Sequence, residues 1–202
     1  MQPLLDVLAS GIHDAKNQLF IAESQIAARE AELRIDLSEA RYAIERAADR
    51  LSRTLAAYRL LRDDARLAVV PANIANLCDE VVLEQGKHLA ATGIKLTVAC
   101  EVFDEWPLDR ELVTDMLNNA VQNAGRFAHS QVLLSANAAP GGLTLRVEDD
   151  GPGFSSLPPK NGFGLMVGER LAKLHVRHGH HGTLQLSNGS ALGGAIFELS
   201  LP

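Results

Sequence analysis

Leu5, Leu8, Ile12, Ala15, Leu19, Ala22 and Ile26 are separated by alternating steps of three and four residues. At that spacing one side chain per turn returns to the same stripe of a helix and can pack against a neighbouring helix. A second run, Leu37, Ala40, Ile44, Ala47, Leu51, Thr54, Tyr58, Leu61 and Ala65, keeps the same rhythm. Between them, Asp36-Leu37-Ser38-Glu39 has the form of an N-cap with an acidic third residue, so a turn is expected near Arg34 to Asp36. The N-terminal third should therefore be an antiparallel hairpin of two helices of about 30 residues, each about 45 Å long at 1.5 Å per residue. One hairpin leaves seams this long uncovered. Pairing two hairpins into a four-helix bundle buries them, which predicts a homodimer.

The remaining two thirds alternate strands with helices. Leu67-Ala68-Val69-Val70 reads as a short strand, Ala72 to Ala91 as a helix with Val81, Val82 and Leu89 inward, and Ile94 to Val102 as an alternating strand. Gln131 to Ala136 and Leu143 to Val147 read as a strand pair joined through Pro140-Gly141-Gly142. The sum is an α+β chain: a helical hairpin over residues 1–67, then a two-layer α/β sandwich over 68–202, with helices on one face of a mixed sheet.

Three motifs in this second part carry chemistry. In Glu148-Asp149-Asp150-Gly151-Pro152-Gly153-Phe154 an acidic residue is followed by two alternating glycines. A carboxylate oxygen can accept a hydrogen bond from the exocyclic amine of adenine, and glycines let the backbone approach a ligand closely. Asp149, and not Asp150, has the required offset to both Gly151 and Gly153. Upstream, the run from Asp115 to Phe127 reads as a helix whose apolar side is Met116, Leu117, Ala120, Val121 and Ala124. Asn119 and Asn123, four apart, share another face, and Arg126 continues it. Amide oxygens suit Mg²⁺, a hard ion that shares its sites with substrate phosphates, and arginine suits the phosphates. Downstream, Gly162-Phe163-Gly164-Leu165 opens a helix-like run, an arrangement that presents free N–H groups and the positive end of a dipole to phosphate.

In this order the three pieces resemble the nucleotide-binding boxes of the GHKL ATPase superfamily, most closely the catalytic domain of two-component sensor histidine kinases. The resemblance spans roughly residues 68–202 and includes the final Gly193-Gly194-Ala195-Ile196-Phe197-Glu198-Leu199-Ser200-Leu201-Pro202, similar to that family's last strand. It implies a sandwich of the GHKL, or Bergerat, type that uses ATP and Mg²⁺. It implies Asn123 as the Mg²⁺ ligand supported by Asn119, Arg126 at a usually basic position and Phe127 at a usually aromatic one. Asp149 would hold adenine, Gly151 and Gly153 would shape the loop, and Gly162, Gly164 and Leu165 would belong to the phosphate-flanking motif under a lid.

A phosphate acceptor should then lie in the hairpin. Gly11-Ile12-His13-Asp14-Ala15-Lys16-Asn17-Gln18-Leu19 is similar to the same family's histidine box, where an acidic residue follows the histidine and Asn or Thr stands four positions after it. His13 sits one residue off the seam, at the expected edge of the bundle, with Asn17 along the same face. A free imidazole titrates near pH 6.5 and is largely an unprotonated nucleophile at neutral pH. Asp14 can hold the proton of the other ring nitrogen. The resemblance implies that Asn17 orients a water that hydrolyses the partner's phosphoryl group, and that the partner is a response-regulator receiver domain.

The chain departs from the family in places. Gln18 stands where a proline is usual, the lid segment from Ser155 to Asn161 is short and stiffened by Pro158 and Pro159, and no separate phenylalanine box is present. Gly168 should loosen its helix by about 1 kcal/mol relative to alanine. The stretch His175-Val176-Arg177-His178-Gly179-His180-His181 reads as a loop and not as a closed metal-ligand set. Two other functions compete: a phosphotransfer protein that relays phosphate through His13 without using ATP, and a noncatalytic dimeric module or a switch kinase acting on a protein serine. Intact glycine motifs oppose the first, and the grouping of His13, Asp14 and Asn17 is left without a purpose by the second.

Charge and composition restrict the setting. A net charge of −6 argues against direct nucleic-acid binding. No run of about 20 apolar residues is available to span a membrane, and the N-terminus lacks the basic-then-apolar pattern of a secretion signal. Cys78 and Cys100 fall in apolar segments and are expected as reduced thiols, in keeping with a cytoplasmic location. No sensory domain precedes residue 1 in this sequence, so input is expected from a partner, from an element inside these domains or from a longer chain.

Overall fold

The computed structural model describes residues 2–45, 47–48, 51, 67–157, 163–189 and 191–202. The chain divides into two compact units, residues 1–65 and 66–202. In the first, helix α1 spans Gln2–Leu33, residues 34–37 leave the helix, and a second helical stretch, α2, begins at 38 and is described through 45. The turn thus lies where Asp36 was expected to cap. Arg34 takes the left-handed conformation with φ 53°, which ends α1 as a C′ residue does. The Asp36 carboxylate accepts the Ser38 N–H at 2.9 Å, and this contact, through both the side chain and the backbone of Ser38, holds its carboxyl below the usual range.

Arg41 of α2 reaches back across the turn to α1, where Nε donates to Glu23 at 3.0 Å and a terminal nitrogen to Glu30 at 3.2 Å. Glu23 is buried, so this pairing supplies the counter-charge that a buried carboxylate requires. The seam residues Ile12, Ala15, Leu19, Ala22 and Ile26 are half-buried within the single chain. Of the second seam, Ala47, Leu51 and the positions before them are described; Thr54, Tyr58, Leu61 and Ala65 lie outside the described residues.

In the second unit a five-stranded mixed sheet, order β2-β4-β5-β9-β8, carries helices on one face. Its strands are β2 (Lys95–Cys100), β4 (Gln131–Ala139), β5 (Gly142–Asp149), β8 (Thr183–Asn188) and β9 (Ala195–Leu201). Only β2 and β4 run parallel; every other pair is antiparallel. The helices are α3 (Ile74–Ala91), α4 (Arg110–Phe127) and α5 (Phe163–Leu174). Leu117 and Val121 of α4 are fully buried, as are Val132, Leu134, Leu143, Leu145 and Leu199 of the sheet, and α4 packs on β4 and β5. Burial of each such side chain stabilises the domain by about 1.5–3 kcal/mol. On the opposite face Arg146 bridges Glu148 at 2.9 Å and Glu198 at 3.1 Å.

Helix α3 starts two residues later than expected because the Asn73 side chain accepts the Asn76 N–H and acts as its N-cap. Ala72 and Asn73 instead complete β1 (Val69–Asn73), which pairs with a strand the sequence reading missed, β3 (Glu105–Asp109). Pro71 faces Pro107 in that ribbon, which tolerates the missing N–H groups because both strands are edges. Val81 and Leu89 face inward as expected, whereas Val82 is only half-buried.

The histidine-rich segment is not a plain loop. Val176–Arg177 (β6) and His180–His181 (β7) form a short hairpin whose two turn residues, His178 and Gly179, both have positive φ, the geometry of a type I′ turn. Among the described residues no His, Cys, Asp or Glu cluster could hold a metal ion. Gly168 is buried and lies against Leu184 of β8, so its missing side chain permits close packing of α5 instead of loosening it. Cys78 and Cys100 are free thiols, and burial pushes the Cys78 thiol up to about 12. No helix among the described residues is long and apolar enough to cross a membrane.

Candidate functional site

Asp149 ends β5 with its side chain on the helix-covered face, 3% exposed. Its Oδ1 accepts the N–H of Gly151 at 2.9 Å and that of Ala195 at 3.2 Å, while its carbonyl accepts the N–H of Gly194 at 3.0 Å. The carboxylate is thereby aimed by two strands at once. Gly194 must lack a side chain: a Cβ there would stand 2.2 Å from Asp149 Oδ1 and 2.7 Å from the Gly151 nitrogen.

Asp150 does the opposite work. Its exposed carboxylate accepts the N–H groups of His129 (2.8 Å), Ser130 (3.0 Å) and Gln131 (3.2 Å), and the Ser130 hydroxyl at 2.6 Å. What little burial it has favours the protonated form, yet these donors, the Ser130 hydroxyl first, hold its carboxyl well below the usual carboxylate range. Neighbouring carboxylates thus face opposite ways, one towards the helix layer and one tying the turn after α4.

That tie brings the end of α4 against the acidic loop. A Cβ on Gly151 would lie 2.2 Å from the Phe127 carbonyl oxygen, so only glycine permits this approach. The loop then turns outward at Gly153, with φ 74°, and Asn188 of β8 clamps it: Asn188 Oδ1 accepts the Phe154 N–H at 2.7 Å and its Nδ2 donates to the Phe154 carbonyl at 2.9 Å.

Helix α4 is itself well fixed. Asp109 caps it by accepting the Leu112 N–H at 3.1 Å, a contact of the kind that contributes about 1 kcal/mol. Asn118 is buried against α3, where Gln85 donates to its Oδ1 at 3.0 Å and its own amide nitrogen donates to Glu84. This polar pairing in an otherwise apolar interface sets the rotation of α4. With Asn118 turned inward, Asn119 is half-buried and Asn123, Arg126 and Phe127 are exposed.

The structure therefore brings together Asp149, Gly151, Gly153 and the C-terminal end of α4. Gly164 and Leu165 lie in the first turn of α5, with Leu165 half-buried; Gly162 lies outside the described residues. In the other unit His13, Asp14 and Asn17 are all within α1, Asp14 and Asn17 exposed, while the His13 side chain lies outside the described residues. The sequence reading missed Asn188, Gly194, Asn118 and the binding role of Asp150. For Asn118 a signal existed, a polar residue at a position where the apolar pattern of α4 points inward.

Residues 108–202 match the family described as histidine kinase-, DNA gyrase B- and HSP90-like ATPase. The chain is 33% identical over 166 residues to the sensor protein kinase CarS of Pseudomonas aeruginosa, covering 79% of this chain and 34% of that protein. It is 32% identical over 108 residues to the two-component sensor PhoQ of the same organism, covering 46% of this chain and 23% of that protein. The chain thus spans about a third or less of the length of these relatives. Among solved structures, full-length ShkA in complex with AMPPNP superposes with a TM-score of 0.63 at 22% identity, covering 98% of this chain and 45% of that one. The Acinetobacter baumannii histidine kinase AdeS does so with a TM-score of 0.61 at 19% identity, covering 90% and 94%. At these identities the structures speak to the fold, a helical N-terminal part and a mixed sheet of the GHKL ATPase type.

Proposed function

The C-terminal domain of this chain belongs to the histidine kinase-, DNA gyrase B- and HSP90-like ATPase family, and on that premise we propose that the protein is an ATP-dependent histidine kinase. It autophosphorylates on His13 and passes the phosphoryl group to an aspartate of a response-regulator receiver domain, working as a homodimer joined through its hairpins. The observation that carries the reading is the buried Asp149 carboxylate, held by the Gly151 and Ala195 N–H groups beside the end of the asparagine helix.

In this reading Asp149 accepts the adenine amine, with Gly151 and Gly153 keeping the loop low enough for the base to approach. Gly162, Gly164 and Leu165 belong to the motif that flanks the phosphates, and Arg126 and Phe127 border the nucleotide. Asn123, supported by Asn119, would hold Mg²⁺; neutral amide oxygens one turn apart suit an ion that keeps waters and shares phosphate oxygens. When bound, the ion supplies charge neutralisation on the β- and γ-phosphates.

A lone pair on the unprotonated His13 ring attacks the γ-phosphorus; the N–P bond forms as the bridging P–O bond breaks and ADP departs. Asp14 holds the proton on the other nitrogen and favours the positive charge that develops. The protein contributes mainly positioning and electrostatics, as a loose phosphoryl-transfer transition state requires. The phosphoryl group then moves to the receiver aspartate, and Asn17 orients the water that later hydrolyses it.

Incubation with γ-labelled ATP tests this. Label that is acid-labile, base-stable and lost in His13→Ala is expected; undiminished label in that variant, or acid-stable label as on serine, refutes the assignment. Asp149→Asn should abolish ATP binding while leaving the oligomeric state unchanged.

A further inference from the structure

Asp109 is a junction of three chain segments. Its Oδ1 accepts the Leu112 N–H in the first turn of α4, its Oδ2 accepts the Ala68 N–H at 3.0 Å just before β1, and its own N–H donates to Nε2 of His175 at 3.1 Å. His175 directly follows the last residue of α5 and is 4% exposed. Because Nε2 accepts, the neutral ring carries its proton on Nδ1. The end of α5 is thus fastened to the start of α4 through one imidazole nitrogen. The two helices so joined carry Gly164 and Leu165, in the opening turn of α5, and the paired asparagines.

We propose that His175 is a positioning residue of the nucleotide site: its neutral ring holds the first turn of α4 by accepting the Asp109 N–H, and protonation releases that turn and weakens nucleotide binding. A protonated ring would set an N–H against the half-buried Asp109 N–H and deprive it of that acceptor. The charged side chains facing His175 among the described residues are Asp109, at the β3–α4 junction, and Arg177, which shares a cleft with it on β6. Burial dominates and lowers the ring's affinity for a proton, against smaller opposing effects from the Leu171 and Ala172 carbonyls and the Asp109 charge. Release therefore comes on the acid side of pH 6.5, the ordinary imidazole value.

The nucleotide part of this inference rests on the proposed ATP-binding role, so two readouts are paired. Mg-ATP affinity of the full chain is measured from pH 8 to pH 5 for wild type, His175→Gln and His175→Leu, and exchange of the Asp109 amide is followed by NMR without nucleotide. Glutamine places an acceptor oxygen near the position of Nε2 and does not titrate. Wild type should lose affinity threefold or more through a protonation centred below pH 6.5 and should lose Asp109 amide protection over the same range. His175→Gln should match wild type at pH 8 and lack that component, and His175→Leu should be weak throughout. An identical acid limb in wild type and His175→Gln, or an Asp109 amide that stays protected in acidic wild type, overturns the proposal. Absence of ATP binding by wild type at pH 8 refutes the kinase reading instead, and amide exchange still decides the role of His175.

Discussion

Gly194→Ala perturbs the position of the Asp149 carboxylate, the proposed adenine acceptor, without changing its chemistry. The added methyl would stand 2.2 Å from Asp149 Oδ1, 2.5 Å from the Asp149 carbonyl oxygen and 2.7 Å from the Gly151 nitrogen, where ordinary contact begins at 3.4 Å. Two of these atoms are backbone, so the strand ends must part or the carboxylate must move by about 1 Å. Either movement stretches the hydrogen bonds now at 2.9 and 3.2 Å beyond useful range. Hydrogen bonds to a charged group contribute about 1.5–3 kcal/mol each. With partial replacement by water, about 3 kcal/mol of nucleotide-binding energy should be lost, roughly a hundredfold in Kd at 1.4 kcal/mol per tenfold. Gly141→Ala is the matched control, since a Cβ there meets nothing within 4 Å. Calorimetric titration with Mg-ATP should show Gly141→Ala at wild-type affinity and Gly194→Ala weaker by about two decades. Gly194→Ala within threefold of wild type would refute the claim that this carboxylate must stay where the two N–H groups hold it.

Asn188→Ala removes both hydrogen bonds that clamp Phe154, at about 1 kcal/mol each, so thermal unfolding should begin several degrees lower and the acidic loop should become protease-sensitive. Asp150 binds its proton less readily folded than unfolded; the stability it contributes is present above pH 3.9, the unfolded value, and is lost as pH falls through the lower folded one. Asp150→Asn should therefore lower the melting temperature at pH 7 and flatten the acid limb of a stability-against-pH curve, and an unchanged acid limb would count against the tie. Arg41→Leu removes the cation paired with the buried Glu23 and should destabilise the hairpin by about 2 kcal/mol in chemical denaturation, with Glu23→Gln in the same background restoring part of it.

Helices and strands were legible where one face is buried, because burial imposes a period that the sequence must obey. The turn between α1 and α2, the paired strands β4 and β5 and the inward set of α4 all show it. Beginnings were less legible: the boundary between β1 and α3 depends on the side chain of Asn73, a residue equally at home in a turn. Strand β3 was hidden by Pro107 and its acidic ends, and β6 and β7 are two residues long, too short for any alternation to register. Within the candidate site the local motifs could be read, but the contacts that fix them could not. Asn188 meets Phe154 across 34 residues and Ala195 meets Asp149 across 46, and no local pattern encodes such a pairing. Asp149 and Asp150 were separable in sequence by their offset to the glycines; that Asp150 binds the turn after α4 was not.

The tight turn at Pro140-Gly141 sets the pairing in which Ala139 faces Gly142 and, seven residues on, Val132 faces Asp149. Strand residues alternate between faces, so a slip of one position along β5 would exchange the two aspartates, sending Asp150 towards the helices and Asp149 towards water. The far end of the hairpin thus acts as a ruler for the site. Related chains should vary freely in the letters of that turn and rarely in its length, and an unabsorbed single-residue insertion there should silence nucleotide binding while every residue of the site is still present.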